Sequence, residues 1–519
     1  MSPKQQSTSK LLEDEDDNNN DTSSALPYSN GGLVDEIRLF LELAVPNTLL
    51  DFGMTVSPLL TACYVGLKFG PTYLSAFTLA NLTGNLSTFS VLMGLFSAAD
   101  TLSPQAFGKE DFQEVGFIAM RGVVVSLCLL IPVNILLATY LEDILLALGQ
   151  DAEASYHATQ WYRIFVWALP FFVVFSATWK FLAAQHVMRP LLVVAFFSCL
   201  VILPVSLQVF TTYMGFLGSA VAYVVFVASQ STLLIAYIAW NHPHAQGTWP
   251  GLHTWREALQ YQPTLDYLHL GLGGLLAQSE WVYWEVMGII IGKLGVTQLS
   301  AHTIPSQVTM LMCMAPYAFG LALTIRMGIT LPYSVKQTER IVIAATIGTC
   351  IMFGFVCIAM YLNADWIIGR FTNDEEVMAL AHSVWWKVCL YNFNVVIYSM
   401  MTGIATGLGM QWTLGAVNFF YVWLCGVPIT YYYAVAKGGG LSSAWTWINA
   451  PYSCINVTLF AIFCVYDWQD VQDKIHEDPY YDDVSGDADG DVDLEKVVTE
   501  KTALVPKSES ERQNVGLSI

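Results

Sequence analysis

The segment Thr72-Tyr73-Leu74-Ser75-Ala76-Phe77-Thr78 recurs as Thr297-Gln298-Leu299-Ser300-Ala301-His302-Thr303, with five of seven residues identical at an offset of 225. A glycine stands two positions before each copy, at Gly70 and Gly295. We interpret the chain as a duplication with two homologous halves. Matching residues at nearly the same offset include Ala99 and Ala322, Asp151 and Asp374, Phe196-Phe197 and Phe419-Phe420, and Pro204 and Pro428.

The composition places most of the chain in a lipid bilayer. Hydrophobic residues make up 55% of the 519 residues and charged residues 12%, with a mean hydropathy of +0.49. A water-soluble core of this size requires much less apolar surface. The net charge of −20 is concentrated at the ends, because residues 1–30 carry −4 and residues 467–519 carry −10. The two tails are therefore predicted to be acidic and disordered.

Twelve segments of the body are long enough to span a membrane as helices, since about 20 helical residues cross the hydrocarbon layer. With six spans in each half, both halves begin on the same side of the membrane, so the two repeats are parallel. The predicted fold class is an all-α polytopic membrane protein with 12 transmembrane helices. The segments are 41–65, 73–98, 115–140, 162–184, 190–212, 215–240, 267–293, 297–325, 341–361, 377–402, 413–435 and 441–466.

These features divide the chain into five regions, which are listed last. Basic residues near span ends are more frequent on the side that holds both tails, and the positive-inside rule makes that side cytosolic. The host membrane is predicted to be the plasma membrane or the vacuolar membrane. The regions are a tail at 1–30, the N-terminal half at 31–240, a cytosolic connector at 241–266, the C-terminal half at 267–466 and a tail at 467–519.

Enzymatic and metal chemistry gain no support from the motifs. His302 lies in a span without an H-x-x-x-x-D or H-E-x-x-H pattern, and the ten cysteines include no C-x-x-C pair. We predict a secondary transporter rather than an enzyme, with no catalytic residue, no metal site and no cofactor. Its expected partners are a small organic substrate and the lipid bilayer, without nucleic acid, and we expect a monomer. Two homologous halves in a membrane are the usual build of such a carrier.

Three acids within predicted spans, Glu280, Glu285 and Asp51, are the candidates for proton coupling and substrate binding. An ionisable group in hydrocarbon is costly unless it faces a cavity or a partner, and burial favours the protonated form of a carboxyl group. Glu280 lies midway along its span. Glu285 lies about 140° further round the helix, so the two carboxylates cannot point into one tight site. Pairing with a buried Asn, Gln or Tyr is the structural alternative for each acid.

Polar and aromatic side chains near these acids are predicted to line a cavity. Gly273 and Ala277 on one side of Glu280, with Tyr283 and Trp284 on the other, form a face that could stack on a cationic ring. A proton and a cationic substrate that compete for one negative charge would couple their movements. Interhelical hydrogen bonding is the alternative role of the polar residues. The predicted lining consists of Asn81, Asn85, Gln278, Tyr283, Trp284, Gln298, His302, Asn392, Asn394 and Tyr398.

Several motifs together resemble a known family. They are Ala98-Ala99-Asp100-Thr101-Leu102 followed by Gln105-Ala106-Phe107-Gly108, the Leu148-Gly149-Gln150-Asp151 loop, Glu280-Trp281 with Glu285, Arg326-x-Gly328, and Gly403 to Gly409 before Gln411. The chain resembles eukaryotic multidrug and toxic compound extrusion (MATE) transporters over residues 31–466. The resemblance implies two six-helix lobes around a central cleft, and export of organic cations, xenobiotics or secondary metabolites by H⁺- or Na⁺-coupled antiport. It also implies that Glu280 is the main coupling site.

The chain departs from the family at three acidic positions. Gln298 occupies the position at which animal members have an acid at the start of the eighth span. Animal and plant members tend to have an acid in the tenth span, where the nearest equivalent in this chain is Val395. Bacterial members have an acid late in the first span, where this chain has Ala62. Coupling is therefore expected to depend on Glu280, supported by Asp51 or Glu285. The alternatives are a citrate-like organic-anion exporter of the same fold and a lipid-linked oligosaccharide flippase.

Overall fold

The computed structural model describes residues 33–372 and 374–476, and within these ranges the regular structure is entirely helical. The all-α prediction is confirmed. The predicted tail at 1–30 lies outside the described residues, as does most of the predicted tail at 467–519. The first part of that second tail forms a helix, α14 (Trp468–His476), with acidic Asp470 in its first turn and Lys474 in its last.

The N-terminal half forms six long helices that match the first six predicted spans. Short loops connect them, and Asp111 and Asp151 cap two of them by accepting backbone N–H groups with their carboxylates. We call this half the N-lobe. Its helices are α1 (Leu33–Phe69), α2 (Pro71–Gly108), α3 (Phe112–Ala147), α4 (Ala152–Ala183), α5 (Arg189–Met214) and α6 (Leu217–Asn241).

The C-terminal half repeats this arrangement with one change, in the seventh span. The predicted continuous segment 267–293 is two helices, α7 (Tyr261–Ala277) and α8 (Glu280–Gly292), with Gln278 and Ser279 between them. The structure therefore has eleven uninterrupted helices long and apolar enough to cross a membrane within its described residues, and the broken seventh span completes the predicted twelve. A break at this depth is tolerated where neighbouring helices or a cavity satisfy the freed backbone groups.

The remaining spans of the C-lobe are continuous helices. The duplication is visible in their ends: Asp374, the repeat mate of Asp151, caps α11 with its carboxylate. The glycines before the repeated segments, Gly70 and Gly295, both have positive φ angles, of 90° and 105°, which glycine adopts without strain. The helices are α9 (Val296–Thr330), α10 (Val335–Leu362), α11 (Glu375–Gly407), α12 (Gln411–Ala436) and α13 (Gly440–Val465).

The two lobes meet at one end of the helices, which we call the terminal face because α1 begins there. The Gln105 amide donates to the Gly407 carbonyl (3.0 Å), and a Cβ at Gly108 would lie 2.6 Å from the Ile329 carbonyl oxygen. Among the described residues, the inter-lobe hydrogen bond furthest from this face joins the Thr55 hydroxyl to the Met314 sulfur, halfway along both helices. We call the contact the inter-lobe seam; it contains Glu36, Ser97, Thr101, Gln105, Gly108, Arg326, Gly328, Thr406, Gly407 and Gln411.

Candidate functional site

Glu280 is the first residue of α8, directly after the break in the seventh span, and only 3% of its surface is exposed. The Tyr317 hydroxyl of α9 donates to its Oε1 atom at 2.5 Å. Its other oxygen, Oε2, is buried and no described donor meets hydrogen-bond geometry to it, although the Tyr398 hydroxyl is near enough to interact with the carboxylate. The helix N-terminus contributes a partial positive charge beside the carboxylate. The break thus places one acid at the junction of two half-helices, with only one of its two carboxylate oxygens in a hydrogen bond.

A small cavity of about 40 Å³ lies against Glu280. It is large enough for one to three water molecules, since about 10–15 Å³ holds one. Its wall is mostly C-lobe, but Ser97 of α2 closes it from the N-lobe, so the cavity reaches the inter-lobe seam. The lining comprises Ser97, Gly274, Ala277, Gln278, Glu280, Tyr317, Tyr398, Thr402, Thr406, Gln411 and Leu414.

Aromatic rings continue from this cavity into the C-lobe. Trp281 lies 5.3 Å from Tyr317, and Tyr398 lies 5.3 Å from Tyr452, centroid to centroid. Ring faces attract cations, and a carboxylate among rings is a combination that binds organic cations. No ion pair involving Glu280 occurs in the part of the chain that the structure describes.

The predicted lining residues of the seventh span and its neighbours separate into two groups. Gln278 and Tyr398 line the Glu280 cavity. Tyr283 is fully buried and points toward Gly426 of α12, and Trp284 packs edge-on against Tyr391 at 5.1 Å. The latter pair therefore builds the interior of the C-lobe rather than the wall of this cavity.

Four further predicted lining residues make hydrogen bonds within the C-lobe. Gln298 accepts the Leu441 backbone N–H at 2.8 Å, and His302 is hydrogen-bonded to the Ser306 hydroxyl. Asn392 donates to the Thr309 hydroxyl at 3.1 Å. Asn394 donates to the Asn449 side chain at 3.2 Å. The bonds of Gln298, Asn392 and Asn394 are the interhelical contacts that were the alternative role of such residues, whereas the His302 bond lies within α9.

The other predicted site residues lie away from the cavity. Glu285 is on an exposed face of α8, as its angular offset from Glu280 required. Asp51 is half-buried on α1 of the N-lobe, within electrostatic reach of Lys180. Asn81 and Asn85 are on α2, the first half-buried and the second exposed. The structure therefore gathers only Glu280, Gln278 and Tyr398 from the predicted set into one site.

Sequence reasoning missed a buried ion pair inside the N-lobe. The Lys180 ammonium of α4 lies 2.8 Å from the Asp100 carboxylate of α2, and both side chains are largely buried. Lys180 also lies over the Trp179 ring at 4.7 Å. Its position in the sequence suggested a cation near the end of a span. The Ala98–Leu102 motif was a signal for Asp100, but its partner is 80 residues away and no spacing rule identifies it.

A second buried cluster joins the lobes. The Arg326 guanidinium, with none of its surface exposed, donates from Nη2 to Glu36 of α1 at 2.5 Å and from Nη1 to His186 Nε2 at 3.1 Å. The Gln337 amide donates to the other Glu36 oxygen at 3.3 Å. Burial and the adjacent guanidinium lower the pKa of His186, which lies in the loop after α4, to about 3. The neutral ring is the form that can accept from arginine.

A metal centre is not indicated at any of these places. Within the described ranges, no group of three or more His, Cys, Asp or Glu side chains is arranged to hold a metal ion.

Twelve spans in two repeated lobes, with a buried carboxylate at a broken span, are the architecture of a multi-pass membrane transporter. The comparison with family models identifies the family. The MatE model matches residues 47–208 and 277–432, which is more than half of the chain, and the chain therefore belongs to the MatE family. The resemblance seen in the sequence motifs is confirmed.

Relatives and solved structures agree with this assignment. The chain is 28% identical over 444 residues to Multidrug and toxin extrusion protein 1 of Mus musculus, covering 84% of this chain and 76% of that protein. It is 29% identical over 416 residues to an uncharacterized transporter of Schizosaccharomyces pombe, covering 79% and 76%. The crystal structure of the eukaryotic MATE transporter AtDTX14 matches the fold with a TM-score of 0.77 at 22% identity, covering 86% of this chain and 99% of that one.

Proposed function

We propose that this MATE-type transporter is an H⁺-coupled antiporter that exports organic cations, xenobiotics or secondary metabolites by alternating access. The observation that carries the proposal is the buried Glu280 carboxylate, which lines a small cavity at the inter-lobe seam, accepts from Tyr317 on one oxygen and has no hydrogen-bond partner among the described residues on the other. A carboxylate in this position can bind a proton or balance an organic cation, but not both at once. Proton uptake from one side then expels a cation that was loaded from the other side.

The inter-lobe seam supports alternating access. The lobes are tied together at the terminal face, where α1 begins, and the seam reaches no further than mid-helix. The positive-inside rule assigns the terminal face to the cytosol. In this proposal the structure represents the state closed to the cytosol, and the opposite state requires the seam to open. The host membrane is the plasma membrane or the vacuolar membrane, and the transporter acts as a monomer with its termini in the cytosol.

The charges of the site favour a cationic substrate over the alternatives. An anion exporter or an oligosaccharide flippase needs basic side chains that face the substrate. The two buried arginines among the described residues are engaged by protein acceptors instead: Arg326 by Glu36, and Arg121 by Glu114 and the Ala258 carbonyl. The uncompensated charge at the cavity is negative. Na⁺ in place of H⁺ remains the second choice of coupling ion.

The experiment is uptake by purified protein in proteoliposomes. A fluorescent organic cation is followed against an imposed pH gradient, with labelled citrate in parallel and a Na⁺ gradient without a pH gradient as the third arm. We expect accumulation of the cation that depends on the pH gradient. Citrate movement, or cation movement driven by Na⁺ alone, would contradict the proposal. Protein-free liposomes give the baseline for each arm.

A further inference from the structure

Gln411, the first residue of α12, connects the Glu280 cavity to the N-lobe. Its side chain is 1% exposed. The amide nitrogen donates to the Thr101 hydroxyl at 2.6 Å and to the Ser97 carbonyl at 3.3 Å, both on α2. Thr101 in turn donates to the Thr406 carbonyl at 2.6 Å. One end of this amide is therefore part of the inter-lobe seam.

Gln411 also lines the Glu280 cavity. Three oxygens that line or border it are buried and have no hydrogen-bond partner among the described residues: Glu280 Oε2, Gln411 Oε1 and Thr402 Oγ1. Two of the three belong to side chains that are more than nine-tenths buried. Two carbonyl-type acceptors cannot bond to each other, but a water molecule can donate one hydrogen to each and accept one from a hydroxyl group. The cavity has the volume for such a molecule.

We infer that a water molecule bound in this cavity links Glu280 Oε2 to Gln411 Oε1, and that Gln411 thereby transmits the protonation state of Glu280 to the inter-lobe seam. The inference rests on the proposed function, because it gives the coupling acid a route to the conformational change. With Glu280 ionised, the water donates a charge-assisted hydrogen bond to the carboxylate and holds the Gln411 oxygen. The amide nitrogen is then fixed toward Ser97 and Thr101.

Protonation weakens this chain of bonds. A proton from solvent adds to Glu280 Oε2, the new O–H group donates to the water, and a charge-assisted bond becomes a neutral one of about half the strength. The seam loses part of its support and opens more often. The titratable side chains that act electrostatically on Glu280 are Tyr317, Tyr391, Tyr398, Tyr452 and Cys313, which are uncharged at neutral pH. Cys313 is also within reach of Asp51, the acid of the neighbouring lobe.

The test is a double-mutant cycle read by hydrogen exchange, using the full chain in lipid nanodiscs without substrate or gradient. Glu280→Gln serves as the neutral form of the acid, and Gln411→Leu removes the link. Mass spectrometry follows backbone exchange of residues 96–108, the N-lobe side of the seam. Exchange in such a segment reports how often it opens. Glu285→Gln, on the exposed face of the same helix, is the matched control.

We expect Glu280→Gln to speed exchange of this segment by roughly fivefold in the native background and to have no effect in the Gln411→Leu background. Thr402→Val removes the cavity hydroxyl without changing a seam residue, and it replaces Gln411→Leu in the cycle should that variant not fold. In the Thr402→Val background, the effect of Glu280→Gln on exchange should be less than fivefold. An equal effect of Glu280→Gln in both backgrounds, or none in the native one, overturns the inference. The transport assay tests the proposed function separately, so the two failures are distinguishable.

Discussion

Glu280 differs from the other two candidate coupling acids in what surrounds it. Tyr317 donates a hydrogen bond to one of its oxygens, and the other oxygen is buried without a partner among the described residues. By contrast, Glu285 is exposed on α8 and Asp51 is half-buried near Lys180. One hydrogen bond fixes the position of this buried carboxyl group, and the adjacent cavity can hold the water that delivers or removes a proton. Such a group can gain and lose a proton without rearranging its helix.

Glu280→Gln should abolish transport driven by a pH gradient, because it keeps the size and hydrogen bonding of the side chain but removes the titratable charge. Uptake of the fluorescent cation should fall to the level of protein-free liposomes, with unchanged yield of folded protein. Glu285→Gln is the matched control and should retain most of the activity. Accumulation by Glu280→Gln with the wild-type pH dependence would place the coupling site elsewhere.

Asp51→Asn should weaken cation transport several-fold while leaving the folded protein in the membrane. The reason is that Asp51 is an acid of the N-lobe whose side chain makes no hydrogen bond to other described residues and is not fully enclosed. Initial uptake rates at saturating substrate measure the effect. Rates equal to wild type would assign Asp51 a structural role only.

Asp100→Asn should destabilise the N-lobe more than the double change Asp100→Asn with Lys180→Met. Removing one partner of a buried ion pair leaves an uncompensated charge, at a cost of about 3 kcal/mol, whereas removing both leaves none. Thermal unfolding in detergent gives the order of Tm values. A double variant whose loss equals the sum of the two single losses would show that the pair is not coupled.

The limits of sequence reasoning are visible in these residues. Depth along a span and a titratable side chain selected Glu280, Glu285 and Asp51 as candidates, and the family resemblance singled out Glu280. The partners of buried charges were not predictable, because Asp100 and Lys180 are 80 residues apart and Glu36 and Arg326 are 290 apart. Only the packing of the helices brings them together.

The seventh span shows the same limit for whole elements. Its apolar composition predicted one continuous helix, since hydropathy averages over a window and two polar residues hardly change the mean. The break at Gln278 and Ser279 depends on contacts with other helices: Trp423 donates to the Ser279 hydroxyl at 3.1 Å, and Asn418 donates to the Ala277 carbonyl at 3.0 Å. These two bonds satisfy polar groups at the end of α7.

Gly274→Ala should impair transport by preventing close approach of α7 to α2. An added Cβ would lie 1.8 Å from the Ser97 hydroxyl oxygen and 2.5 Å from the Gly94 carbonyl oxygen. Overpacking of this kind costs about 1–3 kcal/mol and falls on the state in which α7 and α2 are in contact. A cost of about 1.4 kcal/mol lowers the population of that state about tenfold, and we expect the transport rate to fall by roughly the same factor.

Gly288→Ala, in α8 of the same span, is the control for this change. An added Cβ there meets no atom within 4 Å, and transport should match wild type. Similar rates for the two variants in proteoliposomes would contradict the importance of the α7–α2 contact.

At the scale of the molecule, the internal repeat predicted most of the architecture. An offset close to 225 residues relates the two halves, and the spans follow the predicted order with six in each lobe, the seventh being formed by two helices. How the lobes meet was beyond the sequence, because a repeat says that two halves are alike and not which surfaces they share. The seam, with its Glu36–Arg326 pair, is a property of the assembled lobes.

His186 should make the stability of the closed molecule depend on pH. Its pKa is held at about 3 against an ordinary value of 6.5, so the unfolded chain binds a proton that the folded chain rejects. The contribution of His186 to the free energy of unfolding is therefore fully present above about pH 6.5 and decreases as the pH falls toward about 3. At about pH 5 the loss amounts to about 2 kcal/mol.

His186→Asn should remove this part of the pH dependence, since asparagine is uncharged and tolerates the positive φ of 61° at this position. The measurement is Tm against pH for wild type, His186→Asn and His253→Asn, the last being an exposed histidine of the connector. Parallel curves for all three would mean that His186 is not the group that titrates.

The closed seam also has a consequence for the speed of the cycle. Every turnover must separate its contacts. These include the buried Glu36–Arg326 pair and the close approach of α2 and α9 at Gly108 and Gly328. Each additional 1.4 kcal/mol or so of closure would slow opening about tenfold. A variant that binds its lobes more firmly at this face should therefore have a higher melting temperature and a lower maximal rate, so selection for throughput sets an upper bound on how firmly this transporter can be closed.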